Sequence, residues 1–391
     1  MRALVIGGGI AGSATAIALH RAGIEATIYE RHAHTADDVG LFLTFAGNGM
    51  DALRVLGANE AVEKAAFETP RMEMRSGTGR VLGQMSHGSV DAVSRTIRRS
   101  DMYQALRDEV LARGISIEYG KRLETITDDT AYFADGTHAT GDLVVGCDGL
   151  HSPTRTIIDP DAPKPRYTPV LNTGGYATGV DTGAEPGTFT MVFGKRAFFG
   201  YVPAPNGEVW WFANPPYPTP PTASELAEIN QGDAWRRRLL DLFRDDDSPA
   251  TALIESSTNP MTGWATYDLP VVPNWYRGRV VLAGDAAHAT SPSSGQGASM
   301  AIEDGVVLAK CLRDLPIERA LETYTSIRRP RVEKVVAAGA RTSNLKAAGP
   351  VGRVIRDAMM PLFLKLASRS MNNDWMYRYH VDWDEPVILE K

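Results

Sequence analysis

Ala3-Leu4-Val5-Ile6-Gly7-Gly8-Gly9-Ile10-Ala11-Gly12 is the stretch on which the fold turns. The apolar residues ahead of Gly7 have the texture of a strand buried on both faces, as in a parallel sheet. Gly7, Gly9 and Gly12 then spell G-x-G-x-x-G at the point where that strand gives way to a helix, expected over 11–22. The first glycine permits a tight turn, the second lets backbone approach a pyrophosphate, and the third lets helix pack closely on strand. The helix N-terminus favours the anion. Ile10 and Ala11 lie between the last two glycines and are counted with them as cofactor-binding. A second strand, Glu25 to Glu30, completes a βαβ unit. Glu30 ends it where a carboxylate can accept hydrogen bonds from an adenosine ribose, with Arg31 beside it. This pattern predicts a dinucleotide without choosing between NAD and FAD.

Outward from this unit, Ser100 is expected to cap a helix that carries Met102, Leu106, Val110 and Leu111 at helical spacing and ends at Gly114. A strand over 115–119, a hairpin about Asp135-Gly136 and a buried strand at Leu143-Val144-Val145 follow. From about Pro160 short aromatic strands at 189–193, 197–202 and 209–212 predict an antiparallel sheet, closed by the Pro-rich stretch 215–221 and a helix from Ser224. Val280-Val281-Leu282-Ala283 then resumes the buried-strand texture, so the dinucleotide domain is discontinuous in sequence. A long helical tract runs from Ile317 and is interrupted at Gly349-Pro350.

The 391 residues are ample for a large core, and a net charge of −6 gives no general pull toward nucleic acid or anionic membrane. Small molecules are the expected partners. Cys147 and Cys311 each sit in an apolar stretch, which argues against a disulfide framework and predicts a cytoplasmic protein. The start Met1-Arg2 followed by an apolar run imitates an export signal, but the glycines that follow at once point to a folded strand and turn. No stretch has the length of apolar residues needed to span a bilayer, and the apolar, basic segment 351–369 is expected to be a helix packed on the protein body. His32 and His34 lack the further ligands of a metal site, and no G-x-S-x-G elbow supports acyl transfer.

A second motif, Gly284-Asp285-Ala286-Ala287-His288, leads into Pro292-Ser293-Ser294-Gly295-Gln296-Gly297-Ala298 and a helix. A third, Cys147-Asp148-Gly149, continues to Ser152 and Arg155, and Arg98-Arg99-Ser100-Asp101 opens the middle helix. Together with the N-terminal glycines these resemble the class A flavoprotein monooxygenases, the aromatic-hydroxylase family, over about 1–345. The resemblance implies an α/β fold: a Rossmann-like FAD-binding domain (1–70, 98–160 and 265–345), an inserted antiparallel β-sheet substrate domain (71–97 and 161–264) and a C-terminal helical segment (346–391). It implies that Asp285 binds the ribityl chain, that Pro292, Gly295, Gln296, Gly297 and Ala298 lie beside the flavin, that Asp148 serves flavin and nicotinamide regions, and that Arg99 contacts the cofactor, with Arg98 as the alternative. The family's Pro-Asn after the second strand is replaced by Gly47-Asn48, behind bulky Leu41, Phe42 and Phe45.

The implied activity is a monooxygenase in which NADPH or NADH reduces FAD, dioxygen forms a flavin C4a-hydroperoxide, and one oxygen hydroxylates or epoxidises a small aromatic or polycyclic substrate. The flavin carries the chemistry, so no catalytic residue is assigned. Phe42, Phe45, Phe199, Tyr201, Trp210 and Phe212 are the candidate pocket residues, with sheet core as the competing reading for the aromatic strands. A flavin oxidase or reductase without oxygen insertion, and a non-catalytic redox-sensing flavoprotein, are the alternative functions.

Overall fold

Arg2–Ile6 lies inside a six-stranded sheet, as its uninterrupted apolar texture requires. In a computed structural model, which describes residues 1–34, 40–86, 88–89, 92–269, 271–290, 295–346, 352–353, 355–361 and 374–388, this sheet runs Ser116–Tyr119, Glu25–Glu30, Arg2–Ile6, Leu143–Gly146, Val280–Leu282, Tyr276–Arg277. All neighbours are parallel except the last pair. Strands far apart in sequence are thus drawn into one layer.

Helix Ile10–Arg21 packs on this sheet and against helix Gly297–Asp314. The two helices approach closely at Gly305, where a Cβ would stand 2.9 Å from the Thr15 Cα. Helix Arg99–Ala112 has its N-cap two residues earlier than expected. Arg98 still pairs with Phe42 in the strand Arg95–Arg98, so the helix starts where the strand stops, Arg98 holds the N-cap position, and Ser100 falls in the first turn with its Oγ on Asp101. Gly114 ends the helix at φ +73°, as expected of a glycine there.

The aromatic strands form a seven-stranded sheet in the order Trp264–Asp268, Arg166–Ala177, Val209–Asn214, Phe198–Pro203, Thr188–Phe193, Arg71–Ser76, Val81–Ser86. Every junction is antiparallel except that between Thr188–Phe193 and Arg71–Ser76. Alternation divides its side chains between two faces. One face carries Phe199, Tyr201 and Trp211, sealed beneath helices Ala234–Phe243 and Ala250–Glu255. The other carries Phe189, Met191, Val202, Trp210 and Phe212 and meets Phe42 from the strand Phe42–Phe45.

Helix Ile317–Lys346 is tied to Gly297–Asp314 by a buried charge cluster. Arg328, fully buried, donates to Glu303 at 2.5 Å and Asp304 at 2.7 Å; Arg331 donates to Glu303 at 2.8 Å and to the carbonyls of Trp375 and Met376. Asp304 also accepts from the Gly284 amide at 2.9 Å and contacts His288 Nε2 at 2.5 Å. Burial pushes the Asp304 carboxyl up, but His288 and Arg328 beside it outweigh that and hold it at about 2. Residues 378–388 continue without helix across the same side of the molecule, with Trp383 between the guanidinium groups of Arg21 and Arg313. Gly349-Pro350 lies outside the described residues, and among those described no helix is long and apolar enough to cross a membrane.

Removing one partner of a buried ion pair strands the other, at a cost of about 3–5 kcal/mol. Arg328→Ala is therefore expected to lower the unfolding free energy measured by urea titration by an amount in that range, and an unchanged free energy would contradict the role of the cluster. Because the Asp304 carboxyl is depressed when folded, its contribution is complete above about pH 4 and is lost as pH falls toward about 2. Asp304→Asn should flatten that part of the acid unfolding curve.

Candidate cofactor and substrate site

Three of the glycines divide their work as the spacing requires. Gly7 holds φ +104°, and a Cβ there would stand 2.5 Å from the Cys147 carbonyl oxygen; a Cβ on Gly12 would overlap the Gly7 carbonyl. Gly9 is different: a Cβ on it would meet only the Tyr103 ring, at 3.7 Å, so its outer side is open to an approaching ligand. Glu30 sits at the lip of this turn, where its two oxygens accept from the amides of Gly8 at 2.7 Å and His32 at 2.9 Å. Those bonds orient the carboxylate and leave lone pairs for ribose hydroxyls. Ile10 is buried in the core and Ala11 is half-buried, while Arg31 is exposed and reaches only His32 among the described residues.

The second motif abuts the first. A Cβ on Gly284, which holds φ +62°, would stand 2.7 Å from the Ala11 Cβ. The Asp285 side chain opens to solvent yet stands inside the cleft between the two sheets, and the protein around it raises its pKa by desolvation against the opposing effect of His288 and Arg99. It borders a cavity of about 170 Å³ with Leu150, Trp264, Thr266, Tyr267 and Thr290. A larger hollow of about 410 Å³, between Arg2, Tyr29, Lys121 and Phe133, includes no motif residue and is a polar surface recess.

Asp148 accepts from the Thr154 amide at 3.0 Å and hydroxyl at 2.6 Å through one oxygen, while its other oxygen is buried without a partner among the described residues. Burial raises its pKa. Arg155 is buried and donates to the carbonyls of Leu150 at 2.7 Å and Ala286 at 3.0 Å, which fastens the Asp148 turn to the Asp285 turn. Arg99 and Arg98 diverge. Arg99 is exposed in the cleft, its Nε 3.3 Å from the Tyr103 hydroxyl, and its charge is felt by Asp285. Arg98 turns to the second sheet, pairing with Glu208 at 2.8 Å and lying over Tyr176 and Trp210.

Gly295, at φ +61°, would place a Cβ 3.9 Å from the Thr44 carbonyl, so the start of helix Gly297–Asp314 faces the strand Phe42–Phe45. Gln296 is fully buried and accepts from Asn48 Nδ2 at 3.0 Å; that nitrogen also donates to Glu303 at 2.6 Å. Gly297 and Ala298 are half-buried in the first turn of the helix. Pro292 lies outside the described residues. Asn48 and Arg155 are the positioning residues that a reading of separate motifs passes over. Both carry a signal, because each is a polar residue in a short motif: Asn48 follows the substituted Gly47, and Arg155 ends the Asp-Gly run.

The aromatic candidates separate. Phe42 lies 5.7 Å from Trp210 and 6.3 Å from Phe212, with Phe42 and Phe212 half-buried toward the cleft. Phe45 is fully buried in the core of the parallel-sheet domain. Phe199 and Tyr201, expected to wall a pocket, lie instead on the helix-covered face, Phe199 stacked on Trp211 at 5.2 Å, because alternation turns them away from the cleft.

An open turn at Gly9, a carboxylate beside each of the two glycine turns and a buried carboxylate oxygen without a partner among the described residues fit a flavin adenine dinucleotide. Fold and site together define an FAD-dependent oxidoreductase. The FAD binding domain family matches residues 1–339. Among curated relatives, an aurachin C monooxygenase/isomerase from Stigmatella aurantiaca is 32% identical across 88% of each chain, and an FAD-dependent urate hydroxylase from Klebsiella pneumoniae is 31% identical across 86% of this chain and 88% of its own. The crystal structure of Klebsiella pneumoniae HpxO complexed with FAD and uric acid superposes with a TM-score of 0.83 at 26% identity, covering 96% of each chain. The chain belongs to the class A FAD-dependent aromatic hydroxylases. It is an FAD-dependent monooxygenase, with FAD, dioxygen and NAD(P)H as its redox partners.

Glu30→Arg replaces the ribose acceptor by a cation, and Asp285→Ala removes the carboxylate midway along the cleft. Each is expected to raise the FAD dissociation constant at least about tenfold, or ~1.4 kcal/mol. Fluorescence titration of apoprotein with FAD measures this, and unchanged affinity in both variants would remove these residues from the site.

Proposed function

We propose that the enzyme hydroxylates or epoxidises a small aromatic or polycyclic molecule held between the flavin site and the inner face of the seven-stranded sheet. The observation that carries this reading is the contact of Phe42 with Trp210 and Phe212, which joins the seven-stranded sheet to the strand Phe42–Phe45 that faces the Gly295 turn. Similarity to relatives that oxidise urate and aurachin-type molecules supports a planar ring system as substrate. In this reading segments 1–70, 98–160 and 265–345 bind FAD, 71–97 and 161–264 bind substrate, and 346–391 supports both. Two buried, free cysteines with thiol pKa values pushed up to about 12 by burial suit a cytoplasmic protein.

FAD, when bound, supplies electron carriage from NAD(P)H and the activation of dioxygen. The chain's own residues do the rest. Glu30 accepts from the adenosine ribose, the amides at the start of helix Ile10–Arg21 face the pyrophosphate, and Asp285 accepts from the ribityl hydroxyls. Arg99 places a guanidinium over the same cleft, and Asp148 offers its unpaired oxygen to a donor on flavin or nicotinamide. The amides of Gly297 and Ala298, at the start of an 18-residue helix, stabilise negative charge at the ring. Leu41, Phe42 and Phe212 exclude water from the reacting atoms. Gly295 and Gln296 shape the turn beside the ring.

Two measurements test this. NAD(P)H oxidation by the FAD-loaded enzyme should be slow alone and at least about tenfold faster with the true substrate, a barrier change of ~1.4 kcal/mol. Labelled dioxygen should then deliver one atom to the product. A product formed anaerobically, without label, would contradict oxygen insertion.

A further inference from the structure

The family match ends at residue 339, yet residues 374–388 return to the core of the parallel-sheet domain and lie along it as a strap. At the far end of the strap Trp383 lies between the guanidinium groups of Arg21 and Arg313, and Arg313 donates to its carbonyl at 2.6 Å. At the near end Arg331 donates to the carbonyls of Trp375 at 2.7 Å and Met376 at 3.0 Å and lies 4.0 Å over the Tyr379 ring.

The near end differs in what stands behind it. The Arg331 side chain is 8% exposed and turns its remaining donors on Glu303, Nη2 to Oε1 and Nε to Oε2, each at 2.8 Å. Glu303 Oε1 also accepts from Asn48 Nδ2 at 2.6 Å, and that nitrogen donates onward to Gln296 Oε1 at 3.0 Å. Asn48 Oδ1 is buried with no hydrogen bond among the described residues, so the two Nδ2 bonds set the orientation of the amide. A guanidinium taken out of water is held in place by the negative face of the ring beneath it. Tyr379 therefore fixes Arg331, Arg331 fixes the Glu303 carboxylate, and the carboxylate fixes Asn48 against Gln296. The strap also grips the helix Gly47–Leu56 that carries Asn48, through His380 Nδ1 at 2.7 Å from Asp51.

We propose that Tyr379 is a positioning residue for the flavin site, acting through Arg331, Glu303 and Asn48 on the Gln296 turn and so on how tightly FAD is kept. The inference rests on the reading that this turn borders the flavin. It gives a segment beyond the family match a share in holding the cofactor.

The test follows FAD leaving the diluted holoenzyme, by the fluorescence that freed flavin regains, together with the visible circular dichroism of the bound flavin. Removing one link of such a network changes coupling by about threefold or more. Tyr379→Ala should thus release FAD at least about threefold faster and alter the dichroism, while Tyr379→Phe, which keeps the ring, should match wild type. The double variant Tyr379→Ala/Asn48→Ala should release FAD no faster than Asn48→Ala alone, because both act on one path. Trp383→Ala, which loosens only the far end, should lower the unfolding free energy and leave both flavin signals as in wild type. Should Tyr379→Ala fail to fold, Tyr379→Leu carries the same expectation. The inference is overturned by wild-type release from Tyr379→Ala, by additive effects in the double variant, or by an equal effect of Trp383→Ala. If Asn48→Ala itself leaves release and dichroism unchanged, the placing of the Gln296 turn beside the flavin falls as well.

Discussion

Glu303 and Asp304 sit side by side on helix Gly297–Asp314 with no access to solvent, and two adjacent carboxylates in that position must be neutralised or the helix could not lie there. Arg328 and Arg331 supply the charge from the following helix. The carboxylates in turn reach forward. Asp304 holds the Gly284 amide and His288, and Glu303 holds Asn48, which holds Gln296. One buried cluster thus sets the position of both turns of the proposed flavin site, at Gly284 and at Gln296, and through Trp375 and Met376 it also anchors the chain after residue 374. The cost of burying these charges is offset by hydrogen bonds on nearly every oxygen, and the product is a fixed geometry at the cofactor cleft.

The parallel sheet and its glycine turn were legible in the sequence because each is a local pattern. A strand buried on both faces must be apolar throughout, and a turn that touches backbone at Cys147 must lack a side chain. Glu30 was picked out by its spacing from the first turn and Asp285 by the resemblance of its motif to the family's, and the structure sets Glu30 against the Gly8 amide and the Gly284 turn against Ala11. The start of the middle helix was misplaced because Ser100 is a good cap in isolation, whereas the pairing of Arg98 with Phe42 decides where the strand ends. That pairing is tertiary and leaves no local trace.

The aromatic strands show the limit more sharply. Alternation says that Phe199 and Tyr201 share a face and that Trp210 and Phe212 share one, but it does not say which face meets the cleft. Only the helices Ala234–Phe243 and Ala250–Glu255, folded over Phe199 and Trp211, make that choice. The divergence of Arg98 and Arg99 has the same origin, since Glu208 draws the first guanidinium to the second sheet and leaves the other in the cleft. The segment after 345 carried no motif, and its packing depends on partners such as Phe193, Arg313 and Arg331 that sequence spacing does not connect to it.

The central claim is that residues near 7–12, 148, 285 and 295–297, brought together by one parallel sheet and one buried charge cluster, hold a single FAD. The most direct measurement is identification of the flavin released when the protein, as purified, is denatured. The account predicts one FAD per chain. FMN in its place, or a protein that retains no flavin after reconstitution, would contradict it.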